Sequence, residues 1–303
     1  VLPGESEQHQ SRKRFGMRNR SEATYISGLL ESARYEVLPT KSIANEVVEH
    51  VPLGRTITIT ASVSLGLEAT LHVAETLQGM GYGAVPHLAA RMVRDRAELE
   101  EITARLTAAG VDSIFVPAGD QTPAAGPYAS SLDLLRDLHA IGATFRHIGV
   151  AGYPESHPMI YDDVTIQAMW DKRDYATHVV SNLCFDPTVL SSWVHRIRAR
   201  GTTMPLLIGM AGRVERAKLL AMASKIGVGE STRFLSKNKS TFARIAAPGG
   251  YNPQRFIERM VPVIAQPQAV VEGLHVYTFN QVAATEHWRQ SWLARLQGAV
   301  LTG

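Results

Sequence analysis

The sequence predicts an α/β fold, a single-domain parallel (β/α)8 barrel with an N-terminal extension and an insertion ahead of the last helix–strand unit. Three observations support this. Short segments rich in Val, Ile and Thr alternate with longer amphipathic helical patterns. Most of these short segments read as unbroken apolar runs, as strands covered on both faces do. The length, 303 residues, suits one barrel with extensions. The expected division is an extension over residues 1–30 and a barrel over residues 31–303.

In chain order the expected strands are Tyr35–Leu38, Thr56–Ala61, Gly83–Leu88, Ser113–Pro117, His147–Ala151, Thr177–Leu183, Met204–Gly209 and Leu274–Thr278. Between them, Leu99, Ile102 and Leu106 share one helical face, and Leu132, Leu135 and Leu138 share another. Gly110 and Gly142 follow these two helices, where a C-terminal stop belongs. The first connector, about Lys41–Leu53, is short enough to hold only a reduced helix. Gly229–Gly250 reads as an extra insertion before a helix that starts near Asn252. No repeat or low-complexity linker divides the chain.

Composition narrows the function classes. Hydrophobic residues at 45% and charged residues at 19% fill a large core easily. A formal charge of +3 is too small to argue for nucleic acid. The basic excess gathers in Arg12, Lys13, Arg14, Arg18 and Arg20 and reads as a solvated arm. The single cysteine, Cys184, excludes an internal disulfide and a cysteine-cluster metal site. No stretch reaches the roughly 18 consecutive apolar residues of a membrane helix, and the N-terminus lacks the apolar core of a secretory signal. A soluble cytoplasmic protein without membrane or nucleic-acid partners is expected.

Barrel enzymes place their chemistry at the C-terminal ends of the strands. Polar groups stand there in this sequence: Glu36 on the first strand, Thr60 on the second, His87 on the third, and Ala118-Gly119-Asp120 after the fourth. The fifth runs into Ala151-Gly152-Tyr153-Pro154-Glu155-Ser156-His157-Pro158, the sixth ends in Ser181 and Asn182, and the eighth in Tyr277, Thr278 and Asn280. Glu36 lies in an apolar strand, where a free carboxylate is costly. Burial raises a carboxyl pKa and suits a general acid; pairing with a buried Arg or Lys is the alternative. Asp120 could meet a heterocyclic N–H or cap the next helix. His87 and His157 lack metal-ligand spacing, so hydrogen bonding to a cofactor or to the core is expected, and no metal site.

Taken in order, Tyr35-Glu36-x-x-Pro39, Ile59-Thr60-Ala61-Ser62, Pro86-His87-Leu88, Gly119-Asp120, Tyr128-Ala129-Ser130, Tyr153-Pro154-Glu155-x-His157-Pro158 and Tyr277-Thr278-x-Asn280 resemble the methylenetetrahydrofolate reductase family. The resemblance runs from about Tyr35 to about Trp288, and Tyr-Pro-Glu-x-His-Pro is its most specific piece. It implies reduction of methylenetetrahydrofolate to methyltetrahydrofolate, with FAD as cofactor, NADH or NADPH as reductant, and a homo-oligomer as the assembly. Glu36 inherits the role of essential acid, delivering a proton to the nitrogen that leaves as the imidazolidine ring opens to an iminium. Asp120 inherits contacts to both flavin and pterin. FAD contacts carry over to Thr60, His87, Gly119, Asp120, Tyr128, Ala129, Ala151, Tyr153 and His157, and Lys172 is matched to a lysine at the FAD phosphates. Substrate contacts are implied for Glu36, Asp120, Asn182, Tyr277 and Gln281.

The chain also departs from the pattern. Ala118 stands where the family has an arginine in this cofactor strip, Asn182 replaces a pterin-binding glutamine, and Gln281 replaces an arginine that could meet the folate tail. Thr165–Asp171 matches the polar set around the phosphate lysine poorly, and Pro39-Thr40 stands for a proline pair. Pterin chemistry is therefore better supported than the phosphate grip. Three alternatives stay open: direct hydride transfer from the nicotinamide without flavin, the same chemistry run oxidatively, and a barrel that only binds folate or a protein. Arg233, Lys237, Lys239 and Arg244 in the insertion read as solvated charges, with substrate steering as the alternative.

Overall fold

Each of eight strands pairs in parallel with its neighbours, in the order β3-β2-β1-β8-β7-β6-β5-β4. The computed structural model describes residues 20–155, 162–213, 215 and 251–301. The strands are β1 Arg34–Val37, β2 Thr56–Ile59, β3 Gly83–Pro86, β4 Ser113–Phe115, β5 His147–Gly152, β6 His178–Ser181, β7 Leu206–Ala211 and β8 Val271–Tyr277. First and last strands meet, with Glu36 opposite Tyr277. The remaining seam, between β3 and β4, is bridged just past the end of β3, where His87 pairs with Phe115 and the Leu88 N–H donates to the Phe115 carbonyl at 2.8 Å. The sheet is thereby a nearly closed barrel.

The described helices are α1 Arg20–Glu31, α2 Ile43–His50, α3 Gly66–Gly79, α4 Arg96–Ala108, α5 Ser131–Ala140, α6 Asp162–Asp171, α7 Pro187–Ala199, α8 Pro253–Ile264 and α9 Val282–Leu301. The reduced helix expected in the first connector is α2. Leu99, Ile102 and Leu106 are buried as their spacing requires, and α4 is followed by Gly110 at φ +78°. On α5 the buried face is Leu134, Leu135 and Leu138, with Leu132 only half-buried. Ser130 and Asp133 form a capping box that starts α5, and Asn252 caps α8.

Within the expected N-terminal extension, α1 buries Ala23, Ile26, Leu29 and Leu30. These residues recur at helical spacing, so the helix packs an apolar stripe against α9 and β8 before the chain enters β1. No described helix is long and apolar enough to cross a membrane. The residues proposed for the basic arm before Arg20, the insertion Gly229–Gly250 with its four basic residues, and His157 lie outside the described residues.

Alternation along β1 decides what faces the barrel interior. The Tyr35 hydroxyl donates to Glu286 on α9, so Tyr35 points outward into the helix layer. Its neighbours Arg34 and Glu36 therefore point inward. Arg34 meets His178 of β6 across the interior, Nη1 to Nε2 at 3.3 Å. Gly149 leaves room for that imidazole: a Cβ there would come within 2.8 Å of His178 Nε2.

Candidate active site

Glu36 stands at the inner face of β1, near the end from which the strands deliver their side chains to the mouth. Its Oε2 lies 2.8 Å from Nε2 of His275 on β8 and 3.7 Å from Nε2 of His87, just past β3. The carboxyl is largely buried, with 15% of its side chain exposed. Among the described residues no Arg or Lys forms an ion pair with it. The partner proposed as the structural alternative from the strand alone is thus replaced by a histidine.

The Tyr277-Thr278-Phe279-Asn280 segment fixes the strand that carries Glu36. Thr278 donates to the Glu36 carbonyl through both its N–H, at 3.2 Å, and its hydroxyl, at 2.6 Å. Asn280 continues the ladder with its side chain, accepting from the Leu38 N–H at 2.7 Å and donating to the Leu38 carbonyl at 3.2 Å. Phe279 and Asn280 both adopt positive φ, 50° and 56°, a turn that brings the amide round to β1. Tyr277 faces the mouth, and burial, with Glu36 and Tyr153 nearby, pushes its phenol well above the usual tyrosine range.

Polar atoms around Glu36 lack partners. His87 Nε2, Thr58 Oγ1 and Thr60 Oγ1 are buried without a hydrogen bond, although buried polar groups normally have one. Thr60 is held by its backbone, donating to the Val37 carbonyl and accepting from the Thr70 hydroxyl on α3. The His87 ring packs on Phe115 with centroids 4.6 Å apart, and burial pushes its pKa down to about 4, so it is neutral near pH 7. An unpaired hydroxyl and a neutral imidazole facing one mouth suit a polar heterocycle, so these residues fit one edge of a flavin or a pterin.

Across the mouth, Gly119 has φ +83°, and a Cβ there would come within 2.8 Å of the Ala89 Cβ. Glycine is therefore needed for the turn that presents Asp120. Asp120 is exposed, and Ser130 caps the following helix, which removes the capping alternative for Asp120. Arg91, in a short 3₁₀ turn after His87, ties this loop together. Its N–H donates to the Ala118 carbonyl, its Nε to the Gln121 carbonyl at 2.7 Å and its Nη1 to the Ala129 carbonyl at 3.3 Å. Tyr128 is buried and its hydroxyl is committed to Asp137 at 2.8 Å. Ala151 lies among the last residues of β5, and Tyr153 directly follows the strand's end. Glu155 reaches the loop after β6, accepting from the Cys184 thiol at 3.3 Å.

Asn182 follows β6 with its side chain exposed and its Oδ1 accepting from the Leu183 N–H at 2.8 Å. Gln281 is buried, accepts from the Glu215 N–H at 2.9 Å, and leaves its Nε2 without a partner. Lys172 is not brought to this group. It follows the last turn of α6, whose end leads to the start of β6 on the opposite side of the barrel, and burial pulls its pKa down to about 8. A helix of this length spans about 15 Å, which separates Lys172 from the strand ends.

Sequence reasoning named Glu36 but not His275, Arg34, His178 or Arg91. The signal for His275 was its position two residues before Tyr277 on the same strand, which puts both side chains on one face.

A sequence profile described as Methylenetetrahydrofolate reductase matches residues 40–290. Methylenetetrahydrofolate reductase 2 of Saccharomyces cerevisiae is 25% identical over 162 residues, 50% of this chain and 24% of that protein. The match thus spans about a quarter of that relative's length. Among solved structures, 2,3-dimethylmalate lyase superposes with a TM-score of 0.43 at 12% identity, covering 80% of this chain and 95% of that one. A 7,8-dihydropteroate synthase from Vibrio fischeri gives 0.41 at 13% identity, covering 91% and 96%. Neither likeness bears on the chemistry of the mouth.

Proposed function

Because the chain belongs to the methylenetetrahydrofolate reductase family, we propose that its barrel mouth reduces methylenetetrahydrofolate to methyltetrahydrofolate, with NADH or NADPH as reductant and FAD as hydride carrier. The observation that carries this assignment is the setting of Glu36, an inward carboxyl at the mouth with a histidine rather than a fixed cation beside it. Ring opening of the substrate leaves a nitrogen that must gain a proton, and Glu36 supplies it as general acid. The ring opens to an iminium, and hydride adds to its methylene carbon. Asp120, exposed across the mouth, favours that cation electrostatically.

When bound, FAD would accept hydride from the nicotinamide and pass it to the folate. Thr60, His87, Gly119, Asp120 and Tyr153 would hold its ring system. Tyr128 would contribute through its ring rather than its hydroxyl, which Asp137 occupies. Ala129 and Ala151 would contribute backbone and methyl contacts.

A second version of the reaction passes hydride from the nicotinamide straight to the folate. It is favoured by one observation: the two cations expected at the FAD phosphates are missing from the mouth, one replaced by Ala118 and the other, Lys172, lying past the far end of α6. The visible spectrum of the purified chain, followed by anaerobic NADH titration and then methylenetetrahydrofolate, separates the two. A flavin band bleached by NADH and restored by the folate is the expected result. A colourless chain that still consumes NADH with the folate, unresponsive to added FAD, selects direct transfer. No turnover in either case would overturn the assignment.

A further inference from the structure

We propose that His275 is a positioning residue that decides which oxygen of Glu36 carries the transferred proton, by donating its Nε2–H to Oε2. The proposal rests on the reading of Glu36 as the acid. His275 is 2% exposed, and its Nε2 lies 2.8 Å from Oε2. His87 is 3.7 Å from the same oxygen, beyond hydrogen-bond reach. Oε2 is thereby occupied from below by a fixed donor, and Oε1 is the oxygen left for the substrate.

The consequence follows from the acceptor chemistry of a carboxyl group. A protonated carboxyl has one carbonyl oxygen, which accepts, and one hydroxyl oxygen, which donates. With the imidazole N–H on Oε2, that oxygen is the carbonyl and the proton sits on Oε1. When the proton leaves Oε1 for the substrate nitrogen, the O–H bond breaks, its electron pair stays on the carboxylate, and a new N–H bond forms on the substrate. The His275 hydrogen bond then becomes charge-assisted and stronger. One contact thus orients the acid and stabilises its conjugate base.

The surroundings of this pair are defined from each strand packed on it. β1 contributes Arg34, which is bonded to His178 of β6. The Cβ position of Gly149 on β5 packs against the same imidazole. The turn after β3 contributes His87, and β8 contributes Tyr277 next to His275, with ring centroids 4.9 Å apart. β2 contributes Thr58, and β7 contributes Gly209, which pairs with His275 and brings no charge. Burial keeps His87 and His178 neutral at pH 7, with pKa values near 4 and 3.

The test compares His275→Asn with His275→Gln in the full chain. A glutamine amide reaches where Nε2 stands; an asparagine amide falls short. His275→Asn is expected to lower kcat of folate reduction about 10- to 100-fold with KM nearly unchanged, and to move the alkaline limb of the pH profile up by about one unit or more, because the carboxylate loses a donor. His275→Gln, which cannot relay a proton, is expected to stay within a few-fold of the parent with its limb in place. Infrared difference titration of the Glu36 carboxyl, its band assigned by its loss in Glu36→Gln, should show the same upward shift in the Asn variant alone. An Asn variant with parental kcat and pH limb, or a Gln variant as damaged as Asn, overturns the proposal. If the parent chain itself does not reduce the folate, the assigned reaction fails, and the infrared titration still decides whether His275 donates to Glu36.

Discussion

Tyr35 and Glu36 are neighbours on β1, and the two carboxyl sites they reach are built in opposite ways. Outside the barrel, Glu286 accepts from Tyr35, from Gln290 and from both Nε and Nη2 of Arg289. Burial alone would push Glu286 up, but these donors outweigh it and hold its pKa below the usual carboxylate range. Inside the barrel, Glu36 has one histidine at hydrogen-bond distance and a ring of buried polar atoms without partners. A carboxylate whose acceptor sites are filled by donors and a guanidinium is locked in one protonation state. A carboxyl facing one imidazole and an open mouth keeps an oxygen for a ligand.

The outer cluster should dominate stability. Glu286→Ala would leave Arg289 buried and unpaired, and a loss of about 3–5 kcal/mol is expected in urea denaturation. Folded molecules of that variant should keep their folate reduction, because the cluster does not face the mouth. Lost activity at full folding would erase the distinction between the two sites.

Acid should reveal the interior histidines next. The folded pKa values of His87 and His178, about 4 and 3, lie below the ordinary value of 6.5. Unfolded chains therefore bind more protons than folded ones between those limits, and stability rises with pH across them. It is complete above about 6.5 and declines as pH falls through the folded values, by up to about 3 kcal/mol for His87 and about 5 kcal/mol for His178. Denaturation midpoints measured across this range check the sign, and His178→Gln should flatten part of the slope.

Two smaller effects bear on how the mouth is held. Gly119→Ala forces a side chain into positive φ and against Ala89. A cost of about 1–3 kcal/mol is expected, with a raised KM as Asp120 shifts; unchanged stability and KM would show that the turn relaxes freely. Thr278→Val removes the hydroxyl bond to the Glu36 carbonyl, and a loss of about 1 kcal/mol is expected by thermal melting.

The same contrast explains what the sequence made legible. Runs such as Ile57-Thr58-Ile59 and Ile208-Gly209-Met210 announce strands because both faces are covered, and all eight expected strands overlap observed ones. Several end early: β2 stops at Ile59, with the Thr60 N–H making one more bond to β1 at the Val37 carbonyl. Gly110 and Gly142 were readable as helix stops because positive φ demands a residue without a Cβ. His275 was not readable as the partner of Glu36, since the contact exists only when the first and last strands close across 239 residues of chain. Arg91 was hidden likewise, because its acceptors come from the loops after β4. The place of α1 in the core was masked by its polar flank, although Ala23, Ile26 and Leu30 recur at helical spacing.

The most direct test of Glu36 as proton donor is anaerobic folate reduction by Glu36→Gln, measured beside the NADH half-reaction. The amide keeps the size of the side chain and the contact to His275 but has no proton to give. Folate reduction should fall by about 100- to 10,000-fold, while reduction of bound flavin by NADH proceeds at nearly the parental rate. Folate reduction at the parental rate in that variant would contradict the account.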